Sequence, residues 1–210
     1  MAGKPNGHLG SRLDDRRMKS LVLFMLLLPS LAMADCRTEA HKYRAQITRE
    51  AQFRFGIPAP VPVIIAQMRQ ESDCNPLAVS RTGAAGLMQF MPATAQWTAT
   101  AGAFGTVDPT NPSWAIRAGV WYDRWIYDRI RHAETDCDRW HFTLSSYNGG
   151  LGYVYKRQKL STRAGSWAYT GNINPGILPS NQHENQTYSV KILMKHQPLF
   201  KDWGKTVCLP

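Results

Sequence analysis

The sequence predicts a mainly α-helical domain that follows an exported leader. Three observations carry that prediction. Apolar residues recur at helical spacing in successive segments, each bounded by Pro, Gly or Asn. No two runs alternate in the manner of paired strands. Setting aside the first 34 of the 210 residues leaves 176, enough for one domain with a real core. There is no internal repeat and no low-complexity tract.

Residues 1–34 read as a signal peptide cut after Ala34. Met18-Lys19 supply a basic start, 21–28 an unbroken apolar run, and Ala32-Met33-Ala34 a small-x-small cleavage site. The run is too short to cross a bilayer as a helix. Met18 is a second plausible start, because residues 18–34 form a complete signal by themselves. Asp35 separates the cut from Cys36, which argues against lipidation at that cysteine. The expected location is the periplasm or the exterior, with no membrane anchor once the leader is removed.

The elements of 35–210 follow in order. Helix formers fill 36–55 until Gly56, a natural stop. Pro58, Pro60 and Pro62 make a rigid entry into a short helix over 61–72, where Ile64, Ile65 and Met68 are apolar and Gln67, Arg69 and Gln70 polar. Glu71 falls in its last turn, and Asn75-Pro76 follows. Pro92 opens a helix that ends near Gly102. Asn111 caps one that starts at Pro112 and runs to about Ile130. Its Trp114, Ala118, Trp121 and Trp125 form one apolar stripe, which is read as core. Short helices over 140–147 and 153–160 flank Asn148-Gly149-Gly150. Residues 161–183 read as one long loop, and 184–196 as the last helix.

Charge and cysteine narrow the function. The chain carries +10, of which the leader accounts for +3, leaving +7 for the domain. A basic exported domain is drawn to polyanions such as a cell wall; export disfavours nucleic acid. Cys36, Cys74, Cys137 and Cys208 all lie in the domain, and an even count in an exported chain points to disulfides. Four cysteines allow three pairings; the expected one joins Cys36 to Cys208, clasping the termini, and Cys74 to Cys137. No metal or other cofactor is expected. There is no Cys-x-x-Cys, and the histidines form no His-Glu-x-x-His pattern.

One ordered set of motifs carries chemistry. It begins with Glu71-Ser72 and Asn75-Pro76-x-Ala78-x-Ser80. It continues with Gly83-Ala84-x-Gly86-Leu87-Met88-Gln89, Met91-Pro92-x-Thr94-Ala95 and Asp108-Pro109. It closes with Tyr147-Asn148-x-Gly150-x-Gly152 and Glu184-x-x-x-Tyr188. Singly these are weak; in this order they resemble the Slt-type lytic transglycosylases, goose-type-lysozyme-like enzymes that cut peptidoglycan. The resemblance spans about 57–195. It implies a lysozyme-like domain with a deep cleft, glycan strands of peptidoglycan as substrate and Glu71 as the catalytic residue. It further implies that Ser72, Met88, Gln89, Tyr147, Asn148 and Tyr188 line the sugar sites, Tyr188 close to Glu71, with Gly83, Gly86 and Glu184 in support. Two positions depart from the usual pattern: Cys74 replaces an aromatic or aliphatic residue, and Gly149 replaces Ala.

The residues themselves are consistent with such chemistry. A carboxylic acid that donates a proton near neutral pH needs a pKa above the usual ~4.3 of Glu. Burial against Leu87, Met88 and Met91 would raise that of Glu71, as would the negative end of its helix. Gly83 and Gly86 allow backbone to approach a ligand. Gln89 offers donor and acceptor to an N-acetyl group. Glycosidases usually flank the bond with two carboxylates. Here none stands near Glu71 in sequence except Asp73, which favours attack by the substrate's own hydroxyl. The rival readings are a water-using muramidase, for which Asp73, Asp108 or Asp123 would supply the second carboxylate, and a non-catalytic wall-binding or lysis-helper protein. A monomer is expected, and a secretion, conjugation or phage-lysis machinery is a compatible partner.

Overall fold

The structure is a computed structural model that describes residues 35–209; the signal-peptide reading of 1–34 lies outside the described residues. The described chain is mainly helical. Two isolated bridges, Val79 with Ala85 and Ala85 with Phe90, are the extended pairing found among these residues.

The helices are α1 (Cys36–His41), α2 (Arg44–Phe55), α3 (Val61–Ser72), α4 (Pro92–Ala101), α5 (Pro112–Tyr127), α6 (Asp136–Gly149), α7 (Leu151–Leu160), α8 (Trp167–Thr170) and α9 (Pro179–Val190). A π-helical turn over Lys191–His196 and a 3-10 segment over Gln197–Trp203 complete the fold.

Helix α3 is the axis of the core. Every residue from Val61 to Met68 is buried, including Gln67, so its apolar character wraps the whole helix rather than one face. It packs against α2 on one side and the π and 3-10 segments on the other. The Glu71 end is therefore anchored by a helix that has no solvent side over its first two turns.

The other boundaries follow local chemistry. Asn111 caps α5 by accepting from the backbone N–H of Ser113 at 2.9 Å and of Trp114 at 3.3 Å. Thr135 caps α6 by accepting from the N–H of Asp138 at 3.0 Å, a start four residues before the expected one. Asp136 and Asp138 sit in that first turn, where carboxylates oppose the helix dipole. The segment 161–183 is not one loop. Trp167–Thr170 forms α8, whose first N–H donates to Asp138 at 2.8 Å, and α9 already begins at Pro179. Pro at the first helical position was the signal for that start.

The disulfides differ from the expected pairing. Cys36 is joined to Cys74 and Cys137 to Cys208. The termini are clasped to the middle of the chain and not to each other. Asp35 pairs with Arg69 of α3 at 3.2 Å, which sets Cys36 beside the turn that carries Cys74. At the other end Gln197 accepts from and donates to the backbone of Val207, at 2.7 and 2.8 Å, and steers Cys208 to α6. Closing loops of 38 and 71 residues restricts the unfolded chain, each by about 4 kcal/mol on the chain-entropy account.

Candidate active site

Glu71 lies in the last turn of α3, and Asp73 ends that helix in the left-handed conformation, φ 48°. The side chain is partly buried at the floor of a cleft of about 310 Å³. Burial pushes its pKa up to about 7. The Tyr188 hydroxyl donates a short hydrogen bond to its Oε1, which works the other way, and the Glu184 carboxylate raises it again. Burial also keeps the Tyr188 phenol far above its ordinary pKa, so it stays a donor. A larger hollow, about 420 Å³, opens between Arg131 and Lys159, but no carboxylate lines it.

The glycine turn folds over the helix end. The Ser72 hydroxyl donates to the Leu87 carbonyl at 3.0 Å and tethers the turn. Gly86 has φ +77°, and a Cβ there would come within 1.7 Å of the Pro109 carbonyl oxygen. No other residue fits, which explains why Gly86 and Asp108-Pro109 belong to one motif set. Gln89, at φ 44°, donates its amide N–H groups to the carbonyls of Ala78 at 3.1 Å and Gly86 at 3.0 Å. Only its amide oxygen remains to meet a ligand in the cleft, which it lines.

The opposite wall comes from α6 and α9. Tyr147 lines the cleft and donates to the Met88 carbonyl at 2.8 Å. Asn148 donates to Glu184 at 3.2 Å and accepts from Asn185 at 2.8 Å. Asn185 is held in turn by Arg157, a buried cation that donates to Asn185 at 2.6 Å and to Gln182 at 2.8 Å. Burial lowers the pKa of Arg157. A Cβ on Gly149 would approach the Asn185 amide to 2.5 Å, so the departure from Ala at that position matches this packing.

Glu71, Gln89, Tyr147, Asn148 and Glu184 thus share one cleft. Three residues expected at the sugar sites are turned toward protein, and Tyr188 stands beside Glu71 as the resemblance implied. The Met88 side chain is fully buried, and its sulfur and methyl fill the space beside Gly119, so it is core. Tyr188 is 4% exposed and touches Glu71 in place of the open cleft. The Ser72 hydroxyl is turned to backbone carbonyls.

None of Asp73, Asp108 and Asp123 lines the cleft with Glu71. Asp73 is exposed and faces Arg69, and Asp108 is bound up in the turn before α5, accepting from Thr110 at 2.9 Å. Asp123 is wholly buried, accepting from Gln67 at 3.2 Å, and its other oxygen has no partner. Burial, and behind it the charge of Glu71, holds its pKa well above the carboxylate range. The carboxylate that does line the cleft with Glu71 is Glu184. The burial of Asp123, Gln67 and Arg157 was not legible in the sequence, because polar residues on a helix read as solvent-facing unless the fold buries them.

Residues 46–170 match the family model of the transglycosylase SLT domain. The chain belongs to the transglycosylase SLT family. Helix α9, with Glu184 and Tyr188, lies beyond the matched stretch of the SLT domain. Among curated relatives, a membrane-bound lytic murein transglycosylase F from Maricaulis maris is 33% identical over 68% of this chain and 30% of its own length. Its namesake from Aliivibrio fischeri is 38% identical over 46% of this chain and 18% of its own. Among solved structures, the 70 kDa soluble lytic transglycosylase of Escherichia coli superimposes with a TM-score of 0.61 at 25% identity, covering 76% of this chain and 24% of that one. An inactive Glu-to-Gln variant of lytic transglycosylase Slt from Pseudomonas aeruginosa gives 0.57 at 24% identity, over 78% and 25%. The chain therefore spans less than a third of each of these relatives, and the shared part has the SLT lysozyme-like fold.

One group of metal-ligand types lies close together among the described residues, Cys137, His141 and Cys208. Its two sulfurs are bonded to each other, and the His141 Nδ1 pairs with the Ser189 hydroxyl at 2.9 Å.

Proposed function

We propose that this SLT domain cleaves the β-1,4 bond between N-acetylmuramic acid and N-acetylglucosamine in peptidoglycan by lytic transglycosylation. The observation that supports it most is the state of Glu71: half-buried at the cleft floor, gripped by Tyr188, with a pKa near 7. Such a group is protonated in about half of the molecules at neutral pH and can also hold the negative charge left when it gives that proton away. Glu71 protonates the bridging oxygen as the bond to C1 of the muramic acid breaks. The sugar's own C6 hydroxyl then attacks C1, and its proton returns to Glu71. No water is consumed, and the product ends in 1,6-anhydromuramic acid. A tethered nucleophile reacts at high effective molarity, so no second carboxylate is needed to activate one.

Glu184 keeps one rival alive, a muramidase that uses water, because it is a second carboxylate on the cleft wall. Export by residues 1–34, and a basic surface of +7 that favours an anionic wall, belong to the same proposal. The Glu71→Gln variant tests the catalytic assignment. It should clear purified peptidoglycan at least ~100-fold more slowly than wild type, the lower range for losing a general acid. Clearing at the wild-type rate would leave a wall-binding protein.

A further inference from the structure

The cleft does not end at Tyr122. A second hollow of about 360 Å³ adjoins it and shares Thr94 and Tyr122 as walls. Its remaining walls include Trp97 and Trp125. Trp97, from α4, is 40% exposed, an unusual fraction for an indole in a packed helical domain. Trp125, from α5, is partly exposed. Their rings meet edge to face at 4.9 Å and 76°, and Trp97 meets Tyr122 at 5.7 Å. The three aromatics therefore hold one another in fixed orientations, at little further entropic cost on binding. The Arg129 guanidinium lies 3.9 Å from the Trp125 ring centre and donates to the Trp125 carbonyl at 2.9 Å, which braces that ring.

The stripe Trp114, Ala118, Trp121 and Trp125 was expected to be core. Its first half is: Trp114 is 6% exposed and Ala118 fully buried. Its far end emerges at the hollow.

We propose that Trp97 and Trp125 form a distal glycan subsite that takes an N-acetylated pyranose further along the strand whose scissile bond lies at Glu71. This rests on the reading of the cleft as a peptidoglycan site. Two features select a sugar over other apolar ligands. The hollow is continuous with the cleft, so a strand bound there is led into it. It also offers the mix a pyranose needs, aromatic surface for its C–H face and N-acetyl methyl, with hydroxyls of Thr94 and Tyr122 nearby. Without this subsite the cleft would hold short and long strands alike; with it, affinity rises with strand length.

Calorimetric titration of the Glu71→Gln protein with peptide-free N-acetylglucosamine–N-acetylmuramic acid oligomers of one, two and four disaccharides tests this. Affinity should climb with length. Adding Trp97→Ala should cut affinity for the longest oligomer by about ten-fold, ~1.4 kcal/mol, toward that of the shortest, and Trp97→Phe should restore most of it. Circular dichroism confirms that each variant is folded; Trp97 is the chosen position because its exposure spares the core. Equal affinity for the longest oligomer with and without Trp97, or no binding of any oligomer, overturns the subsite. So does loss of binding to anionic phospholipid vesicles in Trp97→Ala with oligomer binding intact, which would make the patch a membrane contact. Product analysis of the wild-type protein on the same oligomers separates the two proposals. Trp97-dependent binding without cleavage leaves the subsite standing and the reaction wrong; cleavage with Trp97 indifferent does the reverse.

Discussion

Glu71 has two neighbours that move its proton in opposite directions, and this gives a signed test. The Tyr188 hydroxyl stabilises the carboxylate and so lowers the pKa, while the Glu184 charge raises it. Activity that needs protonated Glu71 falls as pH passes through about 7. Tyr188→Phe should move that alkaline limb to higher pH while reducing turnover, since the acid is then freer to rotate. Glu184→Gln should move it to lower pH. Profiles of kcat/KM for the two variants that coincide with wild type would remove both contacts from the account. These residues also show what spacing conveys. The motif set brought out Glu71, Gln89, Tyr147, Asn148 and Glu184, because each meets the cleft from its own turn or helix face. It did not separate Ser72, Met88 and Tyr188 from them. Whether a side chain points to ligand or to a neighbour is decided by packing that sequence does not print.

The elements near the site are fixed by backbone requirements as much as by burial. Gly86 and Gly83 both have positive φ, but only Gly86 is pressed against another segment, the Pro109 carbonyl. Gly83→Ala should therefore cost about 1–2 kcal/mol, the left-handed penalty alone. Gly86→Ala should cost clearly more, because it also drives the turn off the α5 entry. Denaturant unfolding measures both, and equal losses would show that the turn and the Asp108-Pro109 segment are not mechanically joined. The helix starts with Pro at the first position, α4 and the Asn111-capped α5, were legible. The start of α9 at Pro179 was hidden by the Gly, Asn and Ser that precede it, which dominate a composition reading. The start of α6 was hidden because Thr135 and Asp138 precede its apolar stretch. The disulfide pairing was not legible at all, since three pairings fit the spacing and the choice depends on Asp35, Arg69 and Gln197.

At the scale of the molecule, two carboxyls are kept protonated by burial, Glu71 and Asp123, and both have folded pKa values above their unfolded ones. Their contribution to stability is fully present below the unfolded values, near pH 4, and is lost as pH rises through the folded ones. For Glu71 the loss reaches at most about 3 kcal/mol once pH passes 7. Buried His141, its pKa lowered to about 4, works in the opposite sense, so the acids are read by difference: wild-type stability minus that of Asp123→Asn, which keeps the shape and removes the charge, should fall between about pH 4 and pH 8. A difference that stays flat or rises over this range would mean that Asp123 is not buried as described. The two disulfides offset such losses. The central claim, that Glu71 works with the substrate's own hydroxyl and without water, is tested most directly by digesting purified peptidoglycan in water labelled with heavy oxygen and weighing the fragments. The account predicts anhydromuramoyl ends that carry no label and are absent with Glu71→Gln. Reducing ends that carry one labelled oxygen would contradict it and make the protein a hydrolase.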